Sequence, residues 1–222
     1  MQIGPGKYRV TSDQILAHLR EVLNFSDCDQ SILHVIIPNK GKAVASFSQS
    51  QVGDVICEIQ GEVLQTKKRL IHLGVATTRP PMAKRILEHG TTLGASSFNF
   101  FPAALSEKSY QSSKVYDSEK ALTYIEKGME QCRQYADYPI FKIRPSVRTF
   151  IDEMQAKNIP IYWLDHQATD YFSHEQTKKE IALLIGPERG WAQEEKNYFI
   201  ENGIIGVKLS DSVMRVEFAI NA

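Results

Sequence analysis

Three cysteines in 222 residues, Cys28, Cys57 and Cys132, are too few and too scattered to staple a fold. They form no CxxC and no metal-ligand spacing, and three cannot all pair within one chain, so they read as reduced, partly buried thiols. No apolar run is long enough to cross a bilayer, and the first residues show no signal-peptide pattern, which makes the cytoplasm the expected compartment. His18, His34, His72, His89, His166 and His174 lack any spacing that would hold a metal. No Ser/His/Asp or Cys/His pattern marks a nucleophilic triad. A Walker A ending and a GxGxxG are both absent. An excess of charge is missing as well: 26 Lys and Arg balance 26 Asp and Glu, which argues against a general nucleic-acid binder.

The charge is nevertheless uneven. Residues 1–66 hold 5 basic and 7 acidic side chains, residues 67–115 hold 8 and 2, and residues 116–222 hold 13 and 17. A basic segment inside a neutral chain suits docking to one particular polyanion, and it also suits a solvated surface.

Residues 1–66 read as β-rich. Residues 32–37 (ILHVII) predict a strand, Pro38-Asn39-Lys40-Gly41 a turn, residues 42–48 a loosely alternating strand, and residues 55–59 another after the turn Val52-Gly53-Asp54. Ile15, Leu16, Leu19, Val22 and Leu23 recur at helical spacing within residues 11–24. From residue 70 onward strands and helices alternate. Strands are predicted at 70–76, 97–101, 140–143, 159–164, 181–185 and 206–209, and helices at 82–93, 118–135, 147–157 and 193–202. Gly94 sits where a helix C-terminus favours glycine. This alternation means βαβ units around a parallel sheet, with a domain boundary near residues 64–70.

The last 42 residues carry the chemistry. The strand 181–185 runs into Gly186-Pro187-Glu188-Arg189-Gly190, and the strand 206–209 into Ser210-Asp211-Ser212-Val213-Met214-Arg215. Two loops leaving one edge of a parallel sheet side by side form a ligand crevice. Gly186 lets the backbone pass close to a ligand, and Pro187 fixes φ without leaving an N–H unsatisfied. Glu194 and Glu195 suit the first turn of the helix that follows. Arg215 and Glu217 are either a surface pair or an Arg that holds an anion while the carboxylate orients it. Asp165 and His166 end a third apolar strand.

Together the strand-end blocks LDH, IGPERGWAQEE and LSDSVMRVEFA resemble the 16S ribosomal RNA uridine-N3 methyltransferase family, one of the knotted SPOUT methyltransferases. That family carries GPEGG-(Phe/Leu)-(Ser/Thr)-x-Glu-Glu and then Leu-Gly-x-Arg-(Ile/Val)-Leu-Arg-x-Glu-Thr-Ala. Weaker likeness extends through Leu93-Gly94-Ala95, Lys108-Ser109, Glu130-Gln131 and the segment from His18 to Leu23. Arg189, Ser210, Ser212 and Phe218 depart from the pattern, standing for Gly, Gly, Arg and Thr.

The resemblance implies an α/β fold: a C-terminal SPOUT trefoil-knot domain with a parallel sheet, residues 70–222, preceded by a small PUA-like β-barrel that grips RNA, residues 1–66. It implies S-adenosylmethionine as methyl donor, held by Leu164, Ile185, Gly186, Pro187, Glu188, Gly190, Leu209, Val213 and Met214, with Val207 adding to the apolar slot. Arg215 would stabilise the charge that develops on the uridine, Glu217 would orient Arg215, and Glu188 is the candidate base. Lys67, Lys68, Arg69, Lys84, Arg85, Lys108 and Lys114 would hold phosphates of 16S ribosomal RNA or the small subunit, and the protein would be a homodimer through the knot region. Two other readings stay open on the residues: a SPOUT relative acting on a different RNA position, and a silent RNA-binding or assembly protein. A nucleotide-binding α/β protein outside SPOUT is the third.

Overall fold

The computed structural model describes residues 1–21, 25, 31–173, 176, 179–212 and 219. The chain divides into two compact units, Met1–Lys67 and Lys68–Ala222.

In the first unit, β1 (Gln2–Gly4), β2 (Lys7–Arg9), β3 (Ser31–Ile37), β4 (Gly41–Gln49) and β5 (Val55–Leu64) form an antiparallel sheet in the order β1-β2-β5-β4-β3, with α1 (Asp13–Glu21) between β2 and β3. Leu19 of α1 packs with Phe25, Ala45, Phe47 and Val55 in a small core. The β3–β4 hairpin depends on Gly41: its φ is +150°, and a Cβ there would lie 2.2 Å from the Leu64 carbonyl oxygen. Sequence pattern missed β1 and β2, because three-residue strands around Gly4-Pro5-Gly6 are too short for a period of two to show.

The second unit is a six-stranded, wholly parallel sheet. Its strands are β6 (Ile71–Ala76), β7 (Ala95–Phe101), β8 (Ile140–Ile143), β9 (Ile161–Leu164), β10 (Ile181–Ile185) and β11 (Ile205–Val207), in the order β11-β9-β10-β6-β7-β8. Successive side chains of β10 face opposite ways, and both faces are covered. Ile181, Leu183 and Ile185 enter the core shared with α2 (Pro80–Leu93) and α3 (Ser118–Gln131). Ala182 and Leu184 enter the core shared with α4 (Val147–Ala156) and α5 (Gln193–Glu201). That two-sided burial explains the unbroken apolar run IALLI.

The helices follow from their apolar spacing. Ala83, Ile86, Leu87, Gly90 and Thr91 of α2 are buried, as are Ala121, Tyr124, Ile125, Gly128 and Met129 of α3, both sets at i, i+3, i+4, i+7, i+8. The two helices meet at Gly128, where a Cβ would sit 2.3 Å from the Glu88 carbonyl oxygen. Pro80 opens α2, and Gly94 closes it in a left-handed conformation. The expected helix 118–135 stops at Gln131, because Cys132 turns extended and carries Tyr135 back over Gly94 and the Arg69 guanidinium. The expected strand 206–209 is shorter too. Beyond Val207 the chain runs against the loop that follows β9, where the Lys208 N–H donates to Asp170 O at 2.8 Å and the Phe172 N–H donates to Lys208 O at 2.9 Å.

One expectation of adjacency is corrected. β10 and β11 are not neighbours, since β9 lies between them. The crevice is therefore built from three strand ends rather than two loops side by side.

Candidate active site

The carboxyl ends of β9, β10 and β11 open on a cavity of about 800 Å³, within the roughly 300–1,000 Å³ of small-molecule sites. Leu164, Ile185, Val207 and Leu209 give it an apolar wall; Asp165, His166, Gln167, Lys196 and Lys208 add polar groups; and Arg79 and Met82 close it from the start of α2. Of the expected cofactor residues, Leu164, Ile185, Gly186, Pro187, Glu188, Gly190 and Leu209 all line this cavity. Val213 and Met214, and the catalytic candidates Arg215 and Glu217, lie outside the described residues.

Gly186 fits because of Trp191. A Cβ at Gly186 would lie 3.0 Å from the indole Nε1 and 3.1 Å from Cε2. Trp191 cannot easily retreat, being stacked at 6.3 Å on Phe101 and set edge-on at 5.0 Å to Phe199. Its buried Nε1 has no hydrogen-bond partner among the described residues. Gly190, with φ +74°, takes a turn that an L side chain disfavours.

Glu188 is held rather than free. It accepts from the Thr78 hydroxyl at 2.5 Å and from the Arg79 N–H at 3.1 Å, at the N-terminus of α2. Burial pushes its carboxyl up, but the Thr78 hydroxyl, its own N–H and the Arg79 N–H outweigh this and leave it below the usual range. In this geometry it pins the 186–190 loop against α2. Thr78 is fixed in turn: the Tyr116 hydroxyl donates to Thr78 O at 2.7 Å, and burial pushes that phenol up to about 12.

The opposite wall is an ion pair. Lys196 Nζ lies 2.6 Å from Asp165 Oδ2, and the Gln167 N–H donates to Asp165 Oδ1 at 3.1 Å. At the rim, Tyr171 and Lys208 both donate to Asp211 Oδ1, at 2.5 and 2.9 Å. Thr78, Arg79 and Lys196 were missed from sequence. The end of β6, Thr77-Thr78-Arg79-Pro80, carries the same strand-to-loop signal as β10, whereas nothing in α5 sets Lys196 apart.

The basic residues separate. Lys67, Lys68, Lys84, Arg85, Lys108 and Lys114 are exposed. Arg69 is not, being 4% accessible, and this corrects its expected role in holding phosphates. Its guanidinium donates to the carbonyls of Asp137 at 2.7 Å, Thr91 at 2.7 Å and Ala95 at 3.3 Å, and lies 4.8 Å from the centre of the Tyr135 ring. Burial lowers its pKa, the expected sign for a desolvated cation.

Known proteins share this architecture. The ribosomal RNA small subunit methyltransferase E of Neisseria gonorrhoeae, solved bound to S-adenosyl methionine, superposes with a TM-score of 0.69 at 18% identity, over 98% of this chain and 90% of that one. A Legionella pneumophila protein solved with the cofactor SAM gives 0.70 at 18% identity, over 99% and 90%. The shared fold is thus a parallel-sheet α/β domain with a small antiparallel β-domain before it in the chain. In sequence, the ribosomal RNA small subunit methyltransferase E of Treponema pallidum is 31% identical over 159 residues, 67% of this chain and 58% of that protein. A Borreliella burgdorferi relative, ribosomal RNA small subunit methyltransferase E 1, is 27% identical over 161 residues, 72% of this chain and 66% of that protein. The matches thus span less than two thirds of either relative's length. The RNA methyltransferase domain model matches residues 65–222, and the chain belongs to that family.

Proposed function

We propose that this protein transfers a methyl group from S-adenosylmethionine to N3 of a uridine in 16S, small-subunit, ribosomal RNA. The observation that carries the reading is the cavity at the ends of β9, β10 and β11, floored by the Gly186 loop, in a chain of the RNA methyltransferase family. The relatives named for small-subunit ribosomal RNA point to the substrate class, and the neighbours solved with SAM point to the cofactor.

The residues present suit that cofactor. An adenine ring needs an apolar slot with backbone hydrogen bonds, which Leu164, Ile185, Val207 and Leu209 and the main chain around them can supply. The bare Gly186 and Gly190 let the ligand approach the backbone, and Trp191 braces the loop from behind. Bound S-adenosylmethionine supplies an electrophilic methyl group on a sulfonium centre. Glu188 and Asp165 place carboxylates in the cavity wall, which tolerates that positive charge. Uridine N3 is a weakly acidic imide nitrogen on the Watson–Crick edge, so the base must be unpaired or flipped before it can react. In this reading Arg215 stabilises the negative charge that develops on the flanking carbonyls, and Glu217 orients Arg215. Glu188, held in its ionised form by Thr78 and Arg79, anchors the loop, and the N3 proton leaves to solvent.

The first unit, residues 1–67, would contribute RNA contacts, with Lys67, Lys68, Lys84, Arg85, Lys108 and Lys114 meeting phosphates. A homodimer through the knot region completes the proposal. Tyr171, Ile200 and Ile205 are exposed apolar side chains of the second unit. With ribosomal RNA as substrate, the expected compartment is the cytoplasm. The test is transfer from radiolabelled S-adenosylmethionine to small-subunit ribosomal RNA, followed by mass mapping. One 3-methyluridine is expected; label at another position, or none, would refute the assignment.

A further inference from the structure

Three lysines of α2 and α3 converge on one aromatic ring. The ammonium nitrogens of Lys84, Lys120 and Lys127 lie 5.6, 5.6 and 6.0 Å from the centre of the Tyr124 ring. Residues 120, 124 and 127 share one face of α3, and Tyr124 is 9% accessible, so the ring forms a floor beneath exposed cations. Elsewhere in the chain Lys7, Lys68, Lys142, Lys157, Lys196 and Lys208 each lie within ion-pair distance of a carboxylate. Lys84, Lys120 and Lys127 do not pair with any carboxylate among the described residues, although Glu88, Glu119, Glu126 and Glu130 stand on the same two helices. Each contact with the ring is worth only about 0.5–1 kcal/mol at an exposed site, and it is opposed by repulsion among three like charges. A polyanion would relieve that repulsion.

We propose that Lys84, Lys120 and Lys127, seated around Tyr124, form a docking surface for the phosphodiester backbone of RNA. The proposal rests on the RNA-methyltransferase reading and deepens it by placing the substrate's backbone. Lysine ammoniums are compact point charges that suit phosphates without demanding one geometry. No aromatic face is exposed here for bases to stack on, so the contact reads backbone and not sequence. Position supports the same partner. Arg79, which lines the cavity, precedes Lys84 by five residues, about 7.5 Å along α2 at 1.5 Å per residue. A strand held by its phosphates on this face passes beside the site of methyl transfer.

The test is fluorescence anisotropy with a labelled, mixed-sequence, 20-nucleotide single-stranded RNA, titrated at several salt concentrations. The triple variant Lys84→Gln/Lys120→Gln/Lys127→Gln is compared with wild type and with Lys142→Gln/Lys157→Gln on the α4 face. Losing three phosphate contacts should reduce the slope of log K against log salt by about 2, and weaken binding about 100-fold at 0.1 M salt. The control should keep the wild-type slope, and all three proteins should bind S-adenosylmethionine equally. A triple variant with the wild-type slope, or a control that falls as far, overturns the docking surface and leaves the RNA reading standing. Wild-type protein that binds S-adenosylmethionine but no RNA overturns both.

Discussion

Arg69→Met isolates a buried cation that looks, in sequence, like part of a basic patch. The change keeps most of the side-chain volume and removes every donor. Three main-chain acceptors lose a donor, the carbonyls of Asp137, Thr91 and Ala95, and Thr91 O keeps the Gly94 N–H. A buried polar group left unsatisfied costs about 1–3 kcal/mol, so the Asp137 and Ala95 carbonyls give a floor near 2 kcal/mol. Two effects limit the total. Methionine relieves the desolvation of a cation that is 4% accessible, and water can reach a carbonyl near the end of α2. Hydrogen bonds to a charged group contribute about 1.5–3 kcal/mol each, and after that relief the expected loss is about 3–5 kcal/mol. For a unit of this size each kcal/mol lowers Tm by about 2–4 °C, which gives a fall of roughly 6–20 °C. Differential scanning calorimetry and urea melts measure it. The RNA salt dependence of the folded variant should stay that of wild type. A Tm within about 2 °C of wild type, or a stable variant that has lost RNA affinity, would refute the keystone role.

Gly186→Val should weaken S-adenosylmethionine binding at least 10-fold by calorimetry, because the new Cβ meets an indole that Phe101 and Phe199 hold in place; unchanged affinity would contradict the cradle. Glu188→Gln should loosen the 186–190 loop and raise Kd several-fold while keeping the shape of the pH–rate profile, whereas loss of a basic limb would restore Glu188 as the base. Glu153 has its carboxyl lowered to about 2, mainly by the Lys157 ammonium, against the pull of burial and with help from Arg144 and Lys142. A depressed folded pKa contributes stability that is present above about pH 4.3 and lost as pH falls toward 2. Glu153→Gln should therefore flatten the stability loss over that window in acid melts; an unchanged acid limb would count against the network. Trp191→Phe shortens a buried ring packed on Phe101 and Phe199 and should lower Tm by about 2–8 °C through the cavity it leaves; an unchanged Tm would count against the brace.

Much of the secondary structure of both units was legible in the sequence. The runs IALLI and ILHVII are strands, and Ile140–Ile143 matches its element residue for residue; burial accounts for IALLI, whereas Ile32, Ile140 and Ile143 are exposed. Gly94 stops α2 as its type suggests. What could not be read was order in space. No local pattern tells that β9 inserts between β10 and β11, so Asp165 of the β9 loop lies in the wall of the site. Charge misled at Arg69, since side-chain type does not reveal burial; the clue was its place against an apolar strand start. The premature end of α3 came from a long-range contact, Tyr135 on Gly94, that helical periodicity cannot register. Thr78 escaped notice because its role is to hold Glu188, 110 residues away.

The central claim is that the cavity at the ends of β9, β10 and β11 holds the methyl donor. Its most direct test is calorimetric titration of the purified protein with S-adenosylmethionine and S-adenosylhomocysteine. The expected result is saturable binding of one ligand per chain, mutual competition, and loss of heat in Gly186→Val. A folded protein that binds neither ligand would contradict the account and leave the chain an RNA-binding relative without the chemistry.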